Sequence, residues 1–382
     1  MKKFLLFLIF VLILTPKTQV FASENPLSHP NNKFGIHILF DSELDEAKKL
    51  VNTNGGDWGY VIIPLQAGDK DLQKWQRFMD KAAEDHLVPI IRLATEGDYF
   101  NRSAWRKPQE EDILDFANFL NSLNWPTQNH YVVIFNEMNR GDEWGGKLDP
   151  AYYAQLLSYT VTVFKSLNSD FFIVSGGLDN AAPNQGVDFM NEYAFMREMD
   201  KAVPGIFNQV DGFSSHSYPN PGFAQPPTTK TDKSISSFEY ERDLLSKLTN
   251  KKLPIFITET GWSTQSVSDE VQAKYYKEAF NTVWNDPQIV AVTPFVLRAS
   301  GPFEQFSFMK GESDYTKKYL AIKDLPKIKG SPTLSTRVLS ASTQEDSDIS
   351  SKTFKDNVNE NKTNPVQVSK MIQATFKWVM KL

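Results

Sequence analysis

Two glutamates stand where apolar runs of the sequence end. Glu137 follows the run 131–135 together with Asn136, and Glu259 follows the run 254–258. A continuous apolar run is typical of a strand that a parallel sheet buries on both faces. A carboxyl group placed where such a strand surfaces is available for chemistry rather than for packing. Two of these groups meeting at one sheet edge could act as a general acid and as a nucleophile.

Eight apolar runs predict the strands that would position these groups. They cover residues 34–39, 58–65, 87–94, 131–137, 171–178, 210–216, 255–259 and 290–297. Between them the spacing is helical, with one helix starting at Asp41 and others over 71–85, 109–123, 151–167, 187–202, 235–248 and 269–285. Strand starts recur roughly every 25–45 residues, the size of one βα unit. We therefore predict an α/β fold, a (β/α)₈ TIM barrel over residues 33–325.

An open doubly wound sheet is the alternative fold for alternating strands and helices. That fold carries a glycine-rich G-x-G-x-x-G turn after its first strand. Residues 40–44 read Phe-Asp-Ser-Glu-Leu instead. The barrel is therefore favoured, and we expect no cofactor.

Active sites of (β/α)₈ barrels lie at the carboxyl ends of the strands. The side chains predicted there are His37, Arg92, Asn136, Glu137, His216, Tyr218, Glu259, Trp262 and Arg298. Paired carboxyl groups in this place fit glycoside hydrolysis, in which one acid protonates the leaving oxygen and the other attacks the anomeric carbon. The attacking group must stay ionised, and Arg92 and Tyr218 are the candidate donors that would keep Glu259 so.

The pattern resembles glycoside hydrolase clan A, the retaining (β/α)₈ glycosidases, and is most similar to its family 39 and family 5-like members. The resemblance covers residues 34–298 and rests on three features: Asn-Glu-x-Asn at 136–139, Glu-Trp-Gly-Gly at 143–146, and Glu259 at the seventh strand end. The chain departs from the pattern at Met138, where proline is common. It also departs at Phe295, where many members carry a sugar-stacking tryptophan.

The resemblance implies a role for each matching residue. Glu137 would be the acid/base and Glu259 the nucleophile of a retaining β-glycosidase. Asn136 would bind the sugar 2-hydroxyl, while His216 and Tyr218 would orient the two glutamates. The implied substrate is a polysaccharide or an oligosaccharide.

Each candidate also has a purely structural explanation. The two glutamates could belong to ion pairs, His216 could be a buried hydrogen-bonded histidine, and Arg92 could bridge acids. The same alternative is open for three further substrate-contact candidates, which are Trp144, Trp262 and His37. The joint placement of both glutamates, each ending an apolar strand, favours catalysis.

Two other functional classes are compatible with a barrel of this kind. A metal-dependent hydrolase would need clustered ligands, but residues 35–38 supply one histidine and the five histidines are scattered. We therefore expect no metal. A glycan-binding barrel at the cell surface that has lost turnover is the remaining alternative, and the presence of both carboxyl groups argues against it.

Composition limits the partners and the compartment. The net charge of −5 argues against a nucleic-acid partner, and the chain contains no cysteine. Lys2 and Lys3 precede the apolar run 4–14, which predicts a signal peptide over residues 1–22 that is cleaved after Ala22. An uncleaved anchor is the alternative. We expect a monomer that is secreted or associated with the cell envelope.

The carboxyl-terminal part differs from the barrel in composition. Residues 330–363 are rich in Ser, Thr, Asp, Asn, Glu and Lys, which predicts a disordered linker. Residues 364–382 carry apolar side chains at helical spacing, with lysines and no acids in 366–382, which predicts an amphipathic helix. Residues 366–382 could dock on the barrel or a partner, or contact a membrane or an envelope polymer.

Overall fold

The computed structural model describes residues 23–98 and 104–335. The barrel strands are β1 (Gly35–His37), β2 (Gly59–Gln66), β3 (Leu87–Ala94), β4 (His130–Asn136), β5 (Phe171–Gly177), β6 (Phe213–His216), β7 (Ile255–Glu259) and β8 (Ile289–Val292). The first five pair in sequence order, as do the last three, and all these pairings are parallel. Parallel bridges from Phe34 to Val292 and from Val174 to Gly212 join the two runs. The strands therefore close on themselves, and the predicted (β/α)₈ barrel is confirmed.

A helix follows each strand. These helices are α1 (Leu44–Val51), α2 (Leu72–Glu84), α3 (Glu110–Asn121), α4 (Pro150–Leu167), α5 (Glu192–Ala202), α6 (Ser237–Leu248), α7 (Asp269–Asn281) and α8 (Lys317–Lys323). Short 3₁₀ or single-turn helices cover Pro26–Ser28, Asp41–Glu43, Ile206–Gln209, Val283–Asn285 and Gly301–Phe306. Two small antiparallel hairpins pair Gly97–Asp98 with Ala104–Trp105 and Met309–Gly311 with Asp314–Tyr315.

Alternate residues of the strands build two hydrophobic layers. Tyr60 and Ile62 of β2 join an inner cluster with residues of other strands, whereas Val61 and Ile63 pack in the cluster that includes the helices. This alternation follows from the two-residue period of a strand. Both layers are apolar because the sheet is covered on both faces. The eight buried strands thus hold the residues at their carboxyl ends on a rigid frame.

Some boundaries differ from the sequence-based prediction. The last strand ends at Val292 instead of residue 297, and Pro294, which lacks an N–H, follows two residues later. Helix α5 begins at Glu192 instead of residue 187, because the side chain of Asn191 caps it by accepting from the backbone N–H of Ala194. The first change leaves Arg298, which was predicted at the end of this strand, on the connection after β8, where its Nε lies 3.6 Å from Oε1 of Glu43.

The amino end of the barrel is covered by residues that precede β1 and by residues that follow α8. Ser331 N–H donates to Pro30 C=O, and Gln128 N–H donates to Thr333 C=O. Residues 330–335 are therefore paired with the barrel, which corrects the predicted start of the disordered linker. The prediction was wrong here because it rested on side-chain composition, whereas these hydrogen bonds join backbone groups. The remainder of that linker, the predicted helix over 364–382 and the predicted signal peptide lie outside the described residues.

Within residues 23–98 and 104–335, no helix combines the length and the apolar character that a membrane span requires.

Candidate active site

The two glutamates predicted for catalysis lie together at the carboxyl end of the barrel. One carboxylate oxygen of Glu137, one of Glu259 and a ring nitrogen of His216 all lie within 4.8 Å of one another. Glu259 is the last residue of β7, and Glu137 comes directly after β4. The structure therefore brings together three of the residues that the sequence singled out.

The backbone around Glu137 is unusual. Phe135 has φ 66° and Glu137 has φ 41°, so two non-glycine residues close together adopt left-handed conformations. Such conformations are uncommon for an aromatic residue and are often retained at functional sites. Glu137 N–H donates to Gly177 C=O at 2.9 Å, which ties the turn to the neighbouring strand β5. The turn ends β4 at the point where the carboxyl group of Glu137 meets His216.

Glu259 is held in its ionised form. Nη1 of Arg92 donates to Oε1 of Glu259 at 2.5 Å, and the Tyr218 hydroxyl donates to Oε2 at 3.0 Å. Burial alone would raise the pKa of this carboxyl, but the charges of His216 and Arg92 outweigh it and lower the pKa of Glu259 to about 2. Glu259 has the properties of a nucleophile.

His216 connects the two glutamates. Its Nδ1 lies 3.0 Å from Oε1 of Glu137 and 3.9 Å from Oε2 of Glu259. Burial would lower the pKa of His216, yet the charges of both glutamates raise it above its ordinary value. The ring is fully buried against Gly177, where a Cβ atom would collide with it. A glycine at the end of β5 is therefore needed to seat His216.

Glu137 has a second cationic neighbour. Nη1 of Arg140 lies 3.6 Å from Oε2 of Glu137 and 3.4 Å from Oδ2 of Asp179, and Nη2 lies 2.9 Å from Oδ2 of Asp142. Arg140 and Asp179 were not predicted as site residues from the sequence. Asp179 comes two residues after β5, so the rule that selected the other strand-end residues would have found it. Arg140 lies three residues beyond Glu137, on the loop that follows β4.

Asn136 and Glu143 extend the network. Oδ1 of Asn136 accepts from Nη1 of Arg92 at 2.6 Å, and Nδ2 of Asn136 donates to Oε2 of Glu143 at 3.3 Å. Burial and the neighbouring charge of Glu137 raise the pKa of Glu143 to about 8. The sequence motif included Glu143, but it was not predicted as a site residue. Its position on the loop after β4, close to Glu137 in sequence, was the available signal.

His37 lies behind Glu259 rather than on an open surface. Its Nε2 is 3.8 Å from Oε1 of Glu259, and the side chain is fully buried. Burial and the charge of Arg92 lower the pKa of His37 to about 3, so the ring is neutral. His37 therefore supports the wall around Glu259 and has no exposed edge for a sugar.

Trp144 and Trp262 lie in the core, which corrects their prediction as sugar contacts. Trp262 is 0% exposed and packs edge-on against Tyr276, while Trp144 is 1% exposed and packs edge-on against Tyr153. A sugar can stack only on a ring face that solvent reaches. The packing alternative therefore holds for both residues. Loop position alone could not distinguish the two outcomes.

Phe295 contributes an aromatic surface near Glu259. It is partly exposed, and its ring meets His37 edge-on at 5.0 Å and Phe303 at 5.4 Å. Phe306 lies behind it at 6.0 Å. These rings follow β8, on the side of the site next to β1 and β7. They form the aromatic wall of the site, which we define as Phe295, Phe303 and Phe306.

The Glu137, His216 and Glu259 group also has the spacing of a metal site. Two guanidinium groups already oppose the carboxylates, since Arg92 bonds Glu259 and Arg140 lies beside Glu137. A divalent cation at this position would meet their repulsion. The donor set therefore fits a charge-balanced acid pair better than a metal centre.

Comparison with known proteins adds information on the fold. No protein-family model matches the sequence, and no curated protein matches it. A family 39 glycoside hydrolase from the gut symbiont Bacteroides cellulosilyticus WH2 superposes with a TM-score of 0.55 at 16% identity, over 78% of this chain and 64% of that one. The chain has the fold of a glycoside hydrolase. It spans less than two thirds of that family 39 protein.

Two further solved structures share this fold. A family 128 (subgroup II) endo-β-1,3-glucanase from Sorangium cellulosum gives a TM-score of 0.53 at 13% identity, covering 77% of this chain and 98% of that one. A triple variant of an endo-β-1,4-glucanase from Xanthomonas axonopodis pv. citri gives 0.50 at 15% identity, covering 76% and 98%. All three are glycoside hydrolases, and the similarity to this chain is one of fold.

Proposed function

We propose that this chain is a retaining β-glycosidase that hydrolyses O-glycosidic bonds of a polysaccharide or an oligosaccharide. The observation that carries the proposal is that one carboxylate oxygen of Glu137 and one of Glu259 lie within 4.8 Å of each other at the mouth of the barrel. Retaining glycosidases hold their two carboxyl groups about 5–5.5 Å apart, whereas inverting enzymes leave about 6.5–9.5 Å for a water molecule. The short separation supports retention.

The first step of the reaction divides the work between the two glutamates. The Glu259 carboxylate attacks the anomeric carbon while Glu137 gives its proton to the glycosidic oxygen, so that the C–O bond breaks as the glycosyl–Glu259 ester forms. Arg92 and Tyr218 keep the Glu259 carboxylate ionised and fix its two oxygens. His216 holds the carboxyl group of Glu137 in place through Nδ1.

The second step returns the enzyme to its starting state. Glu137, now ionised, takes a proton from a water molecule, and the resulting oxygen attacks the anomeric carbon. The ester bond to Glu259 breaks, and the sugar leaves with the configuration that it had at the start. Every proton in the cycle passes through Glu137, and every bond to carbon that the protein makes is made by Glu259.

The substrate and the location of the enzyme belong to the same proposal. β-1,3- and β-1,4-glucans are the first substrates to test, because enzymes named for these activities share the fold. The predicted signal peptide supports a secreted or envelope-associated enzyme, and residues 366–382 would supply any contact with a membrane or an envelope polymer.

The proposal is tested by incubating the protein with a panel of aryl β-glycosides and β-glucans and following the products by proton NMR. We expect turnover of at least one substrate with a β-configured product formed first. An α-configured first product would contradict retention. Binding of a glycan without turnover of any substrate would instead favour the glycan-binding barrel.

A further inference from the structure

The side chain of Glu143 takes no part in proton transfer or attack, yet it is connected to the nucleophile. Glu259 accepts from Nη1 of Arg92, and the same Nη1 donates to Oδ1 of Asn136 at 2.6 Å. Asn136 makes the next hydrogen bond, in which its Nδ2 donates to Oε2 of Glu143 at 3.3 Å. Four side chains therefore form one series of hydrogen bonds that ends at Glu143.

This series determines which way the Asn136 amide faces. An asparagine side chain has an acceptor oxygen and a donor nitrogen, and its orientation follows from its partners. Arginine has donors only, so the oxygen of Asn136 must face Arg92. The nitrogen then faces Glu143, whose carboxyl group offers an acceptor oxygen whether or not it carries a proton. Arg92 holds one end of the amide and Glu143 holds the other.

We propose that Glu143 is a positioning residue, which fixes the Asn136 amide so that its second N–H is presented to the substrate beside Glu137. The nitrogen of Asn136 carries two hydrogens, and Glu143 uses one of them. The inference rests on the proposed glycosidase function and adds one residue to its site. It assigns Glu143 no contact with the reacting atoms.

The electrostatic setting of Glu143 supports a functional origin. Burial and the charge of Glu137 both act against its ionised form and raise the pKa of Glu143 to about 8. An acid that is half-buried beside a second acid weakens the folded state, and packing alone would be served better by an apolar residue. Unfavourable placements of this kind are concentrated at functional sites.

The test is a double-mutant cycle on kcat/KM for the aryl glycoside that the wild type turns over best. Glu143→Ala should lose about tenfold, the equivalent of one hydrogen bond that orients a substrate contact. In an Asn136→Ala background the same change should alter kcat/KM by less than about twofold, because the group that Glu143 positions is already gone. Glu143→Gln keeps an acceptor oxygen and should stay within about threefold of the wild type.

Controls separate this role from a structural one. Glu96→Ala removes an exposed acid from the loop after β3, where it pairs with Arg106, and should leave kcat/KM unchanged. Thermal unfolding identifies variants that do not fold. If Glu143→Ala is among them, Glu143→Met replaces it with the same expected loss, because methionine fills the space but offers only a weak sulfur acceptor.

Two results would overturn the inference. One is independent, multiplicative losses from Glu143 and Asn136, and the other is a Glu143→Gln variant as impaired as Glu143→Ala. A wild type without any turnover would count against the glycosidase itself. The cycle would then be run on the Kd of a bound oligosaccharide, where the same non-additivity is expected and its absence would reject the role of Glu143.

Discussion

Nη1 of Arg92 lies 2.5 Å from Oε1 of Glu259, and both side chains are largely enclosed, with 13% and 9% of their surfaces exposed. An ion pair shielded from solvent in this way is screened much less than one at the surface. The guanidinium group therefore acts on the ionisation of Glu259 as well as on its position. It comes from β3, four strands away from β7, and only barrel closure brings the two together.

Removing the Arg92 charge should shift the pH dependence of the reaction. Without the guanidinium group, one of the two main charges that offset burial is lost and the pKa of Glu259 rises, so a larger fraction of Glu259 is protonated in mild acid. For Arg92→Met we expect the acid limb of kcat/KM to move up by about one to three pH units. Arg106→Met, which removes an arginine from the β3–α3 connection, should leave that limb in place. An unshifted limb in Arg92→Met would mean that this charge does not control Glu259.

A pair of buried acids outside the reacting groups predicts how stability depends on pH. Glu192 of α5 and Glu241 of α6 are each 1% exposed. Burial raises the pKa of Glu241 to about 7, and burial together with the charge of Glu241 raises the pKa of Glu192. At these two glutamates the folded chain thus binds more protons than the unfolded chain above about pH 4.5, the ordinary pKa of a glutamate. Stability should therefore fall as pH rises from 5 to 7.

Replacing one member of this pair tests the linkage. Glu192→Gln imitates the protonated acid, so the Tm of this variant should fall less between pH 5 and pH 7 than the Tm of the wild type. Glu198→Gln, on the same helix but on the surface, should keep the wild-type slope. Equal slopes in all three proteins would show that the buried pair does not set the pH dependence.

The buried position of Trp262 and the partly exposed position of Phe295 predict different phenotypes. Trp262→Ala should lower the free energy of unfolding by about 3–5 kcal/mol, because it empties a fully buried site. Phe295→Ala should cost less stability but raise KM for oligosaccharides, since it opens the aromatic wall. Chemical denaturation and steady-state kinetics measure the two effects. A Trp262→Ala variant with unchanged stability and a raised KM would contradict the core position and support a sugar contact by Trp262.

Chelation distinguishes the acid pair from a metal centre built on the same three residues. Arg92 and Arg140 already balance the charges of Glu259 and Glu137, so turnover should be unchanged after dialysis against EDTA. Added Zn²⁺ or Mn²⁺ should not raise the rate. Loss of turnover on chelation, restored by one of these ions, would establish a metal-dependent reaction instead.

The sequence was sufficient to predict the barrel and the meeting of the two glutamates. Apolar runs alternate with helical spacing, and parallel strands in a closed barrel place all their carboxyl ends on one face. The period of the pattern was enough to bring together five residues that each lie within two residues of the carboxyl end of a strand, which are Glu137, Glu259, His216, Tyr218 and Arg92.

What the sequence could not predict depends on loops and on burial. Trp144 and Trp262 occupy loops, and only the packed structure reveals that their rings face the core. Glu143 lies six residues beyond Glu137, and its contact with Asn136 depends on the path of a loop that has no period. Residues 330–335 pair with the barrel through backbone groups, and side-chain composition cannot predict backbone hydrogen bonds.

The central claim is that Glu259 forms a covalent bond to the sugar while Glu137 supplies the proton. The most direct test is to incubate Glu259→Ala with an activated aryl β-glycoside and sodium azide, which can enter the space left by the carboxylate. We predict that turnover is lost without azide and restored with it, yielding an α-glycosyl azide, whereas Glu137→Ala with azide yields the β-glycosyl azide. Wild-type turnover by Glu259→Ala in the absence of azide would contradict the account.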